Sequence, residues 1–427
     1  MKKVFICMCS VFLSIVIASC SNDNLFNEVT PVMKKSVHRI TAEQAQQNAL
    51  EFVNNFSVTT RGTTSTLKVS GVKAISGGGT ITRSDGDSIN TDSLFYIVNF
   101  EDNNGFVIAA TDDRETPVFA YIEEGSYEED SLANGNLYVG TETGNAGYDA
   151  FLSSLIDMEI DNRTQYHKNP DDDELYDGYE PGPITGGGIT ADRDKFEVMS
   201  PLLKTKWGPY SYVAYNNNEP TGCTINAVTQ ICSYIECPVN VCWNYNGLYK
   251  SCTMEWNRIN TECENGIGIT SSADLNDQIS ILKQFWNLYL DAEGTSVEVD
   301  NAIPKLQEIG INATSLGDYD ANEVIKDLKK GDRIIYMRGN ARYYHVGFIF
   351  RRYVDGHAWV VDGYIHSVKG WDIANYLHCN WGWNGDKNGY YLCNVLNAEE
   401  GPVYYDDATP TRSQNYQYRL KTSTICK

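Results

Sequence analysis

The sequence predicts an α+β protein built in two parts, a small mixed domain in front and a larger two-lobed domain behind. Three observations carry this reading. At 427 residues the chain is too long for one ordinary domain. No cysteine occurs from 21 to 222, whereas nine lie beyond, and all eight tryptophans fall in that second half. The second half is also helical first and strand-rich last, the order expected of two lobes with a cleft between them.

Charge and the N-terminus bound the function. A formal net charge of -22 and a pI near 4.6 argue against nucleic-acid binding, which wants a basic face, and suit a soluble extracytoplasmic protein. Residues 1–19 read as a signal peptide: "MKK" supplies positive charge, and the apolar stretch after it is too short for a free-standing membrane span. The stretch ends in "IASC", which resembles a bacterial lipobox. Lipidation of Cys20 and cleavage before it are the implied chemistry, and the polar "SNDN" that follows at once favours this over an ordinary signal with an incidental cysteine. The expected localisation is therefore the outer membrane or cell surface.

The elements follow in order. "TAEQAQQNALEFVNNF", residues 41 to 56, predicts a helix. Thr41 and Gln44 form a capping-box pattern, and Ala45, Ala49, Phe52, Val53 and Phe56 line one face. "SLFYIVNF", "GFVIAATDD" and "PVFAYIEEG" predict short strands, and "AGYDAFLSSLIDMEI" a second helix. Residues 161–195, rich in Asp, Pro and Gly, predict an exposed linker open to proteolysis. Beyond it, helices are expected near 223–236, 273–290, 298–309 and 321–329. Strands are expected at "DRIIYMRG", "YYHVGFIF", "HAWVVDGY", "NYLHCNWGW" and "GYYLCNVL".

The chemistry centres on "EPTGCTINAVTQICSYIECP". Val228, Ile231, Cys232 and Ile235 form one buried helix face, and Cys223 precedes it at the first turn. A thiol there feels the helix dipole and free backbone N–H groups, which favour thiolate and can also face an oxyanion. Cys232, among apolar residues, reads as core. A cysteine nucleophile needs a base. His38 and His167 lie in the front region and linker; His345, mid-strand, reads as packing. His357 in "DGHAWVVDGY" stands at a strand start, and His378 shares a strand with Asn380 and Trp381.

This arrangement resembles papain-like cysteine peptidases, and more specifically the streptopain family. "TGCTINAVTQICSYI" is similar to that family's nucleophile helix, "GHAWVVDGY" to its catalytic-histidine strand, and "HCNWGWNGDKNGYYLCNVLN" to its Asn-Trp-Gly-Trp segment. "SPLLKTKWG" resembles the start of the mature enzyme, and residues 95–125 its propeptide. The resemblance implies a papain-like two-lobed peptidase domain over 196–427, behind a small α+β propeptide over 20–160, with the processing site in 161–195. It implies Cys223 as nucleophile, His357 as base and later acid, and Asn380 and Trp381 as support for the His357 ring. It implies a zymogen acting on protein or peptide substrates, inhibited by its own propeptide until cut between about 185 and 199.

One departure stands out. The family has a glutamine soon after the Trp-Gly entry that helps bind the oxyanion, whereas Pro209 and Tyr210 stand here and no glutamine occurs between 201 and 222. Asn216, Asn217, Asn218 or the backbone N–H of Cys223 are the possible substitutes. A catalytically weak, peptide-binding surface lipoprotein is the rival reading. The odd number of exported cysteines predicts at least one unpaired thiol, Cys223 or Cys426 among the choices. No cofactor, metal or nucleic acid is expected, since no cysteine pair has the tight spacing of a zinc ribbon.

Overall fold

Helix α1 (Ala42–Arg61) starts where the capping box sets it: Thr41 Oγ1 accepts from the Gln44 N–H at 3.3 Å, and Gln44 Oε1 from the Thr41 N–H at 2.8 Å. It stops at Gly62, whose φ of 70° is left-handed. All five expected apolar positions of its face are buried. These details come from a computed structural model. It describes residues 38–76, 80–82, 88–90, 93–127, 145–168, 194–211, 220–266, 268, 270–290, 299–346, 350–369, 372–396 and 418–427. The signal segment 1–19, Cys20, residues 216–218 and most of the linker lie outside them.

After α1 come strands β1 (Val69–Ile75), β2 (Thr80–Thr82), β3 (Ser88–Asn90), β4 (Phe95–Phe100), β5 (Phe106–Ala109) and β6 (Val118–Ile122), then helix α2 (Ala146–Lys168). The sheet order β1-β4-β5-β6 is an antiparallel meander. Gly105 in the β4–β5 connection has φ 90°, and a Cβ there would sit 2.0 Å from the Ile122 carbonyl oxygen, so only glycine fits. Asn145 caps α2, its Oδ1 accepting from the Tyr148 N–H at 3.2 Å. The helix runs on to Lys168, into the stretch read from composition as linker.

The second half contains β7 (Lys195–Met199), α3 (Cys223–Ile235), β8 (Asn240–Tyr245), β9 (Leu248–Thr253), α4 (Trp256–Asn265), α5 (Ala273–Tyr289) and α6 (Ala302–Glu308). Then follow β10 (Asn312–Ala313), β11 (Gly317–Asp318), α7 (Ala321–Leu328), β12 (Arg333–Val346), β13 (Phe350–Lys369), β14 (Asp372–Asn380), β15 (Gly389–Leu392) and β16 (Tyr418–Cys426). The expected helices are present. The β8–β9 hairpin, α4 and β16 are additional. The long segment before His357 continues the β12–β13 pairing out to Val346 opposite Phe350.

The two halves share one sheet. Strand β6 pairs antiparallel with β15, Tyr121 opposite Tyr390, and the order runs on through β14, β13, β12 and β16. Both joining strands are buried along their whole length, so each needs a partner for its backbone as well as cover for its faces. The faces of β13 then divide the interior. Trp359 and Val361 enter a core with α1, α2 and the front strands; Ala358 and Val360 enter a second core with α3, α4, α5 and α6. Period-two alternation along one strand thus serves both lobes.

Candidate active site

The candidate nucleophile helix begins at a glycine. Gly222 is extended at φ -66°, ψ 163°, its carbonyl accepts from the Asn226 N–H at 3.1 Å, and it offers no side chain to the helix start. The first N–H groups of α3 therefore remain available at the thiol. Cys223 is the first helical residue and half-buried, whereas Cys232 is fully buried in the second core, where burial pushes its thiol far up.

Cys223 meets β13 on both sides of His357. Its Sγ donates to the Gly356 carbonyl at 3.9 Å, and the Ala358 N–H points at the sulfur. This edge is open because β14 ends at Asn380, opposite Val360. The side chain of His357, however, lies on the Trp359 face. The two rings stack at 5.8 Å and 20°, Trp383 presents an edge at 6.4 Å, and the Trp381 backbone carbonyl accepts from the imidazole. Helix α3 packs on the other face, that of Ala358 and Val360. The candidate nucleophile and candidate base thus come to one three-residue stretch of strand, with the His357 ring stacked on Trp359.

Charge at the site follows from burial. Packing pushes the Cys223 thiol above its ordinary range, against the pull of the Ala358, Thr224 and Cys223 N–H groups and the Thr224 hydroxyl. Packing also holds the His357 imidazole down at about 4. At neutral pH both groups are uncharged in this form. The helix-start argument for a depressed thiol pKa is therefore corrected here: its N–H groups act as expected, but desolvation outweighs them.

The supporting residues divide their roles. The Trp381 indole is buried against Trp359 at 5.3 Å and Tyr391 at 5.1 Å, its Nε1 donating to the Lys387 carbonyl at 3.1 Å. It backs the ring that His357 stacks on. Asn380 acts at one remove. Its Nδ2 donates to the Thr205 carbonyl at 2.9 Å, and its Oδ1 accepts from Gln230 at 3.3 Å and from the Gly382 N–H at 3.2 Å. It fastens the Trp381–Gly382 turn and does not reach the imidazole. Trp359 was missed from sequence, although it stands two positions beyond His357 on the same strand face.

Three other histidines are engaged elsewhere. His378 Nδ1 bonds Asp362 Oδ1 at 2.6 Å in a buried pair, with its Nε2 3.8 Å from Glu123 Oε2 of the front domain. His366 bonds Asn375 and His38 bonds Asp113. Near the missing glutamine, Pro209 is buried and Tyr210 is 70% exposed. Gln230 is committed, accepting from the Trp207 N–H at 3.0 Å and donating to Asn380.

The front domain reaches this wall. Gly147 at the start of α2 lies so close that a Cβ would fall 2.1 Å from the Trp381 ring, and Asn145 Nδ2 donates to the Asp386 carbonyl at 2.7 Å. On the far side of the sheet Phe52 of α1 packs edge-on against Tyr376 at 5.2 Å and Phe196 at 5.3 Å. Lys206 pairs with Glu124 at 2.8 Å. All nine described cysteines beyond 222 are thiols, and among the described residues no group of three or more His, Cys, Asp or Glu could hold a metal ion.

Residues 204–391 match the Peptidase C10 family, and residues 37–139 match the Spi protease inhibitor family. Streptopain of Streptococcus pyogenes serotype M1 is 22% identical over 328 residues, covering 71% of this chain and 75% of its own. Another Streptococcus pyogenes streptopain is 23% identical over 334 residues with the same coverage. A mutant fragment of Prevotella intermedia prointerpain A superposes with a TM-score of 0.47 at 19% identity, covering 81% of this chain and 98% of that one.

Proposed function

We propose, for a chain that is a streptopain-like cysteine-type endopeptidase with an inhibitor propeptide domain in front, that Cys223 is the nucleophile and His357 its general base and later acid. One observation carries the reading: the thiol at the first residue of α3 abuts the residues on either side of His357. The Cys223 sulfur attacks a peptide carbonyl, and its proton passes to His357. The carbonyl oxygen becomes an oxyanion facing the N–H groups at the start of α3. His357 then protonates the leaving amine, a thioester remains, and water hydrolyses it. For this the imidazole turns from Trp359 towards the sulfur. Water entering the opened cleft brings both pKa values back towards their ordinary range.

The closed form is the zymogen. Residues 20–160 act as propeptide, 161–195 as the segment cut on activation, and 196–427 as the peptidase. The cut belongs before Lys195, because Lys195–Met199 pairs with β13 and is held in the sheet. Residues 1–19 act as a lipoprotein signal, Cys20 carries lipid, and the enzyme is tethered at the outer membrane or cell surface until processing releases it. The "IASC" sequence with polar "SNDN" behind it supports this part.

A second reading, a catalytically weak surface protein that binds peptides, draws on the Gly208–Ser211 turn, which carries no glutamine. Processing separates the two. Purified free of other proteases, Cys223→Ala stays full length while the parent chain trims itself. A Cys223→Ala chain that trims normally rules out self-processing.

A further inference from the structure

Helix α5 carries one side chain that its surroundings do not lead one to expect. Lys283 lies within "ISILKQFW" and is 0% exposed. Its ammonium donates to the Gly208 carbonyl at 2.8 Å, to Asn226 Oδ1 at 2.7 Å and to Thr221 Oγ1 at 3.1 Å. All three N–H donors are used, all three acceptors are neutral, and no carboxylate is among its partners in the described residues. Burying an ammonium without a counter-charge is destabilising, and burial holds this one down at about 7. A methionine of similar length would fill the space without that penalty.

The acceptors make the position informative. Gly208 opens the turn where a glutamine is missing. Thr221 stands two residues before Cys223, and Asn226 one turn after it. Thr221 and Asn226 also bond each other at 3.1 Å, and the Thr221 N–H donates to the Pro209 carbonyl at 3.0 Å. Among the described residues, Lys283 is the one side chain that ties all three together. It thereby links the entry turn, the residue before the glycine cap and the first turn of the nucleophile helix.

We propose that Lys283 is a positioning residue of the reaction: by joining Gly208, Thr221 and Asn226 it fixes the start of α3, and with it the backbone N–H groups that receive the substrate's oxyanion. This rests on the reading of Cys223 as nucleophile. In this chain a buried cation supports the backbone donors from behind, on the side where the entry turn supplies no glutamine amide.

Two small probes of the same thiol test it in the linker-cleaved protein, the form in which the cleft opens. Iodoacetamide alkylates Cys223 by displacement, with no oxyanion. Acetylglycinal forms a hemithioacetal whose oxygen occupies the oxyanion position, and its affinity is read from protection against iodoacetamide. The mass of the Cys223 peptide reports both. For Lys283→Met we expect an alkylation rate within about twofold of the parent and an aldehyde affinity lower by about ten- to a hundredfold, the scale of a misplaced oxyanion donor. Thr221→Val removes one acceptor, keeps the lysine and loses aldehyde affinity by a smaller factor. It carries the test if Lys283→Met does not fold. Unchanged aldehyde affinity in the variants overturns the proposal. So does an equal fall of both measures together with the melting temperature, which marks a strut of the fold alone. A parent chain that alkylates at Cys223 but never binds the aldehyde overturns both this proposal and the nucleophile reading.

Discussion

His357→Phe separates the closed site from an open one by its response to acid. Burial holds the imidazole at about 4, against an ordinary value of 6.5. At about 1.4 kcal/mol per unit, that gap contributes about 3 kcal/mol. The folded pKa is the depressed one, so this stability is fully present above 6.5 and is lost as the pH falls through 4. Phenylalanine keeps a ring on Trp359 but cannot take a proton. It also leaves the Trp381 carbonyl without its donor, at about 1 kcal/mol. The two stability curves therefore cross: the variant is weaker by about 1 kcal/mol at pH 7 and stronger by about 2 kcal/mol near pH 4. Urea unfolding of the two full-length chains at pH 7, 6, 5 and 4, both carrying Cys223→Ala to prevent processing, measures this. Parallel curves over that range refute the argument, because they mean that the ring titrates as if it were in water.

Three further outcomes follow from the packing. Phe52→Ala removes the ring between α1 and the second half and weakens the closed form by about 3–5 kcal/mol, read as a lower melting temperature and faster cleavage by an added protease. Gly147→Ala forces a methyl group into the Trp381 indole and loosens the start of α2, at about 1–3 kcal/mol; hydrogen exchange of α2 reports it, and unchanged protection contradicts it. Glu159→Gln acts through pH. Burial and the neighbouring Glu115 raise the Glu159 carboxyl well above its usual range, so the stability that it contributes is present in acid and lost as pH rises. The amide removes that loss and the variant melts higher at alkaline pH, whereas equal pH dependence in parent and variant speaks against a buried, protonated carboxyl.

Much of the fold was legible because local pattern and final burial coincide. The α1 stripe and its capping box needed no tertiary information, and the short strands of both halves announced themselves by apolar runs between turn residues. The β6–β15 join did not, since nothing local tells one buried strand which other strand it will meet. Composition misled at 161–168, where charged residues lie on a helix. The β8–β9 hairpin had a readable signal in Asn246–Gly247, flanked by two short strands, which was passed over. At the site, residue types and spacing pointed to Cys223 and His357, and the structure brings both to the same stretch of β13. Which face the ring takes, and how far burial outweighs the helix start in setting the thiol's charge, depend on packing from two lobes at once. Lys283 carried a hint of its own, a cation inside an apolar helical run.

The most direct test of Cys223 as a peptidase nucleophile is covalent titration with a thiol-directed peptidyl epoxide, on full-length and linker-cleaved protein, reading the mass of the modified peptide. The account predicts one adduct per cleaved chain, on the peptide containing Cys223, slower labelling of the full-length chain, and none in His357→Ala under the same conditions. Absence of an adduct at Cys223 in both forms, or equal labelling without His357, would contradict it.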